Sequence, residues 1–136
     1  MTDAVFFEGD DVCLIEPHKI LSVRGFKLTD DSSSFRFVLG SHMDAYQQMI
    51  IFLKKDVFYS PHKNKYGRKS YTLLSGELEV VIYNSNNTEV YDLTYPSTTL
   101  TFPSTIPHSL KALTDVSYIE SVAGPYLQNK SELVII

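Results

Sequence analysis

Short apolar runs separated by turn-forming residues recur along most of this chain, and they leave room for little besides β structure. The runs are 12–15, 35–39, 49–53, 71–74, 78–83, 98–102 and 118–122, each rich in β-branched or aromatic residues. Runs of this length suit strands and fall short of ordinary helices. Asn84-Ser85-Asn86-Asn87 reads as a turn, because Asn tolerates a positive φ and its side chain bonds its own backbone. Tyr95-Pro96-Ser97 marks a second break, and the polar stretch 29–34 sets residues 1–30 apart as an N-terminal arm or extra strands. Residues 31–136 then form the main unit. The predicted class is all-β, as a single jelly-roll barrel, one of the ways short strands manage their open edges.

A chain of 136 residues fits one domain. At this size about two-thirds of the unfolded surface is buried on folding, enough for one core without staples. The single cysteine, Cys13, excludes an internal disulfide framework, and its apolar neighbours predict a buried, unreactive thiol. A net charge of −4 argues against a nucleic-acid binder, which needs a basic surface. The cations of 63–69 (Lys63, Lys65, Arg68 and Lys69) read as a solvated loop, with an anion site beside His62 as the alternative. No apolar stretch reaches membrane-spanning length and no leader pattern is present, so a cytoplasmic location is expected. Residues 49–53 are apolar on both faces of a strand. That predicts burial on both sides and, with the arm, a homodimer.

Two of the four histidines have an informative context. His62 lies in Ser60-Pro61-His62-Lys63-Asn64, upstream of Lys69 and Gly76. His108 closes Phe102-Pro103-Ser104-Thr105-Ile106-Pro107-His108. On this spacing, residues 36–126 resemble the cupins. Their first motif runs His-x-His, four residues, Glu, six residues, Gly; their second is Pro-x-Gly-x-x-His. His62, Asn64, Lys69 and Gly76 fall at the first set of positions, and Pro103, Thr105 and His108 at the second. More narrowly, the chain resembles the WbuC-like cupins found with O-antigen and other surface-polysaccharide genes. Tyr59-Ser60-Pro61-His62, Ser75-Gly76-Glu77-Leu78-Glu79-Val80, Glu120 ahead of Gly124-Pro125-Tyr126, Gln47, and the pair Arg36 and His42 carry that likeness.

The resemblance implies a barrel pocket and, in most cupins, a divalent metal held by three imidazoles and a carboxylate. Here Asn64 stands for a His, Lys69 for the Glu and Thr105 for a Gly. An ammonium opposes a metal: unit charges about 4 Å apart interact by roughly 4 kcal/mol at an effective dielectric near 20, and a divalent ion doubles that. The expected cofactor is therefore none, or a weakly bound divalent metal on His62, His108 and Asn64 or water. His62 and His108 are candidate acid–base groups, since imidazole titrates near neutral pH, with Lys69 as an anion anchor. A rim histidine bonded to backbone and an outward lysine are the structural alternatives. Gln47, Asn64, Tyr71, Glu120 and Tyr126 are candidate ligand contacts; Arg36 and His42 are weaker pocket candidates for which a structural hydrogen bond is favoured, and His18 reads as surface. The expected partner is a small carbohydrate, a sugar or sugar nucleotide, bound by a protein of surface-polysaccharide synthesis. Proton transfer beside a carbonyl, as in an isomerase or epimerase, is the alternative.

Overall fold

Alternation decides most of the architecture. In the computed structural model, which describes residues 2–6 (backbone only), 33–41 and 43–136, every regular element is a strand. Cys13, His18 and His42 lie outside the described residues. In chain order the strands are β1 (Thr2–Phe6), β2 (Ser34–Val38), β3 (Tyr46–Leu53), β4 (Phe58–Lys63), β5 (Arg68–Ser75), β6 (Leu78–Asn84), β7 (Asn87–Leu93), β8 (Thr99–Pro103), β9 (His108–Ala112), β10 (Val116–Ala123) and β11 (Glu132–Leu133). They form a six-stranded sheet, β1-β2-β3-β10-β5-β8, and a five-stranded sheet, β11-β4-β9-β6-β7. The pairing is antiparallel except between β1 and β2, which run parallel. The all-β expectation is met as two separate hydrogen-bonded sheets, not as one continuous closed ladder. Residues 2–6 of the expected arm add a strand to the larger sheet.

The main core fills the space between the sheets. Met49, Ile51 and Leu53 of β3, Tyr71 and Leu73 of β5, Leu78, Val80 and Ile82 of β6, and Tyr118 and Val122 of β10 all point into it. The other face of the larger sheet carries a second cluster, Phe35, Phe37, Ile50 and Phe52. So the strand that reads as apolar on both faces is buried on both, within a single chain.

Turns place the strands. The β6–β7 hairpin closes through Ser85-Asn86, with Asn84 opposite Asn87, as the Asn-rich stretch predicts. Ser97 takes a positive φ of 73° at the Pro96 break. Gly76, between β5 and β6, has φ +81°, and a Cβ there would collide with the Asp115 carbonyl oxygen and crowd Thr114 Oγ1. No L side chain fits that turn without strain.

Two predictions follow from this packing. Gly76→Ala is expected to lower stability by about 2 kcal/mol or more, because a strained left-handed residue alone costs roughly 1–3 kcal/mol; the urea midpoint measures it. Tyr118 is wholly buried and its hydroxyl has no hydrogen-bond partner. Tyr118→Phe is therefore expected to leave stability unchanged or raise it by up to about 1 kcal/mol, since an unsatisfied buried hydroxyl carries a desolvation cost. A loss in the same unfolding experiment would show a bond at that oxygen.

Candidate functional site

Strand register brings the motif residues together. On the larger sheet, Gln47, Val122 and Lys69 lie side by side across β3, β10 and β5, and Met49, Glu120 and Tyr71 form the next row. On the smaller sheet, His62 of β4 lies directly opposite His108 of β9. β5 alternates so that Lys69, Tyr71 and Leu73 face inward while Arg68 faces out. Lys69 is thus only 4 % exposed and leaves the basic stretch, whose other cations, Lys63, Lys65 and Arg68, are solvated.

The central contact crosses between the sheets. Lys69 Nζ lies 3.1 Å from His108 Nε2. His108 Nδ1 lies 2.7 Å from the Ile106 carbonyl oxygen, which only accepts. The Nδ1 atom therefore carries the proton, Nε2 carries the lone pair, and Lys69 donates to it. Phe102 and His62 pack against the His108 ring edge to face, at centroid distances of 4.7 and 4.4 Å. His62 repeats the arrangement: its Nδ1–H donates to the Ser60 carbonyl at 2.8 Å, leaving Nε2 as a lone pair.

Burial fixes the charge states. It pushes His108 down to about 3, helped by the Lys69 charge and by His62. His62 is lowered for the same reasons, burial first and Lys69 second. Lys69 itself is lowered by burial and by Arg36, against the pull of Glu120. Arg36 is raised: burial works against its charge, but Glu120 and nearby tyrosines outweigh it.

A cavity of about 450 Å³ opens between the sheets. Arg36, Gln47, His62, Asn64, Lys69, Glu120 and Tyr126 line it. Two expected residues do not. Tyr71 is wholly buried beside Phe102 and Tyr118. His108 is also wholly buried, shielded behind His62 and Lys69, so it meets the cavity only through them. His42 lies outside the described residues. Arg36, a weaker pocket candidate from sequence, lines the cavity, since β2 turns Phe35 and Phe37 outward and Arg36 inward.

The sequence gives no signal for Asn129. Its Oδ1 accepts from the Lys65 and Tyr66 amides, and its Nδ2 donates to the Tyr66 and Ala123 carbonyls. Its own carbonyl takes Asn64 Nδ2 at 2.7 Å. Only a structure shows this clamp, because its partners lie more than sixty residues away along the chain for four of the five bonds.

The donor set is poor for a divalent metal. His108 offers no free lone pair, because the Lys69 ammonium holds it. Asn64 contributes at most an amide oxygen, and an ammonium stands at the position of the usual carboxylate. Among the described residues no three His, Cys, Asp or Glu side chains converge. These residues do not fit the metal that the motif spacing implies.

Comparison with known proteins supports the architecture. No family model matches the chain, and no curated protein sequence matches it. Solved structures do. A cupin superfamily protein from Desulfitobacterium hafniense is 15 % identical, with a TM-score of 0.63, over 82 % of this chain and 94 % of that one. The fold is the cupin fold. DMSP lyase DddQ from Ruegeria pomeroyi is 18 % identical, with a TM-score of 0.61, over 82 % of this chain and 57 % of that one. An oxalate oxidase is 16 % identical, with a TM-score of 0.58, over 66 % of this chain, which spans only 46 % of the oxidase. Cupin neighbours thus include enzymes, and at these identities they share a scaffold with this chain.

The titration of His108 gives a pH prediction. An unfolded chain binds a proton on this histidine as pH falls through about 6.5, but the folded protein resists until about 3. The unfolded state binds more protons in that window, so stability falls as pH drops, by up to ~1.4 kcal/mol per pH unit, and is flat above it. Urea unfolding from pH 7 to pH 4 should show this slope in the natural protein and a shallower one in His108→Gln. Equal slopes would mean that His108 is charged in the folded state.

Proposed function

We propose that this chain is a small-molecule-binding protein of the cupin type in which a lysine takes the place of the metal. The observation that carries this reading is the Lys69–His108 hydrogen bond beside the cavity. A cavity of about 450 Å³ lies within the range of ligand pockets, roughly 300–1,000 Å³. Its wall joins Tyr59 and Tyr126 to Gln47, Asn64 and Glu120. Aromatic faces with amide and carboxylate groups suit a sugar, and the resemblance to WbuC-like cupins points the same way. The ligand class in this reading is a sugar or sugar nucleotide of surface-polysaccharide synthesis.

A second reading, a sugar-nucleotide isomerase or epimerase, draws support from one feature. His62 lines the cavity, and its Nδ1–H is tied to Ser60. Its Nε2 therefore keeps a lone pair in a ring whose burial holds it neutral. Such a group removes a proton beside a carbonyl, and a Lys69 N–H would stabilise the resulting enolate oxygen. His108 then acts through Lys69, as a positioning residue.

One set of measurements tests both. Protein stripped with EDTA should bind UDP-glucose or a 4-keto sugar nucleotide without added metal, and His62→Ala should weaken that binding. Zn²⁺ should bind poorly to the natural protein and better to the double variant Lys69→Glu, Asn64→His. Stoichiometric, tightly held Zn²⁺ in the natural protein would overturn the lysine-for-metal reading. Solvent deuterium entering the 4-keto sugar nucleotide, and falling about 10²–10⁴-fold in His62→Ala, would favour the isomerase.

A further inference from the structure

Residues that line the cavity hold buried polar atoms that the protein leaves unsatisfied. Among the described residues, five buried side-chain atoms lack a hydrogen-bond partner: Arg36 Nε, Gln47 Oε1, Asn64 Oδ1 and the hydroxyls of Tyr71 and Tyr118. The tyrosines belong to the core. The other three belong to residues that line the cavity. Natural proteins leave few such atoms, and a group of them calls for an explanation.

Their chemistry is fixed by what surrounds them. Gln47 is 2 % exposed, and its Nε2 donates to the Ser41 and Asp44 carbonyls at 3.0 and 2.9 Å. Asn64 is 6 % exposed, and its Nδ2 donates to the Asn129 carbonyl. Neither amide can turn over without setting its oxygen against a carbonyl. Both oxygens therefore stay acceptors and require a donor. Arg36 Nε–H requires an acceptor. Lys69 Nζ carries up to three protons, and the one acceptor it meets among the described residues is His108 Nε2. The charges close in the same sense. Arg36, Lys69 and the exposed Lys130 bring three positive charges to the wall and Glu120 brings one negative, a surplus of two. An unpaired charge out of water is costly.

We propose that the ligand is a polyhydroxylated anion, a sugar acid or sugar phosphate, whose anionic group lies against Lys69 and Arg36 and whose hydroxyls donate to Gln47 and Asn64. This rests on the small-molecule reading of the cavity and adds the charge and the donor pattern that its ligand carries. Glu120 accepts a further hydroxyl.

Isothermal titration calorimetry of the whole chain at neutral pH tests this with glucuronate, glucose 1-phosphate, glucose and propionate. At least one of the two hydroxylated anions should bind tenfold or more tighter than both glucose, which lacks the charge, and propionate, which lacks the hydroxyls. The better of them tells carboxylate from phosphate. Lys69→Met should weaken that anion at least tenfold more than it weakens glucose, with thermal unfolding used to check the fold. Should that variant fail to fold, added NaCl on the natural protein should weaken the anion and spare glucose. Glucose binding as tightly as both anions would overturn the proposal and leave the small-molecule reading standing. Propionate matching the better anion would overturn it on the hydroxyls. Silence from every probe would overturn both.

Discussion

A hydrogen bond between an ammonium and a neutral imidazole holds the centre of this protein. Lys69 reaches from the larger sheet to His108 on the smaller one, and the protonation of several neighbours depends on it. The bond requires a lone pair on Nε2, which the Ile106 carbonyl secures by taking the Nδ1 proton. Burial around the pair disfavours a second positive charge, so both histidines stay neutral. Charge-assisted bonds of this kind are stronger than neutral ones, and this one stands where two sheets must meet with little water between them. The site therefore sets a fixed cation on one side against an imidazole held in one tautomer on the other.

Much of this was legible in the residues. The alternation of Lys69, Tyr71 and Leu73 places the lysine on the same face as two core residues, which argues for an inward ammonium against the plain reading of a solvated basic loop. The Asn-rich hairpin, the Pro96 break and the two-sided strand at Met49–Leu53 were readable for the same reason: local sequence had to satisfy a local geometry. Among the strands that the apolar runs miss, three show why. β4 contains Pro61 and is half exposed, β7 is polar and exposed along nearly its whole length, and β9 is short. Each forms because its neighbours supply hydrogen bonds, not because its own residues demand a strand.

Depth was the harder quantity. Spacing put His62 and His108 at equivalent positions, but it carried no information on which ring would face the cavity. The Phe102 ring and the Lys69 chain occupy the space around His108, and these are long-range contacts. Arg36 and Asn129 show the same limit from the other side. Arg36 lines the cavity because its strand sends phenylalanines to a second cluster, and Asn129 does so because five hydrogen bonds fold a loop back over the β4–β5 turn.

The bond between Lys69 and His108 also shapes how such a protein can change over generations. Exchanging the lysine alone for a glutamate would set a carboxylate against an imidazole lone pair, two acceptors facing each other in a dry site. The histidine would then have to take up a proton that its surroundings resist. Exchanging Asn64 alone for a histidine would cut the amide bond to Asn129 and bring another imidazole near an ammonium. Each single step passes through a poorer protein, and only the two together arrive at a ligand set suited to a metal. A valley in sequence space thus separates the lysine-centred site from a metal-centred one, and a lineage on either side of it tends to stay there.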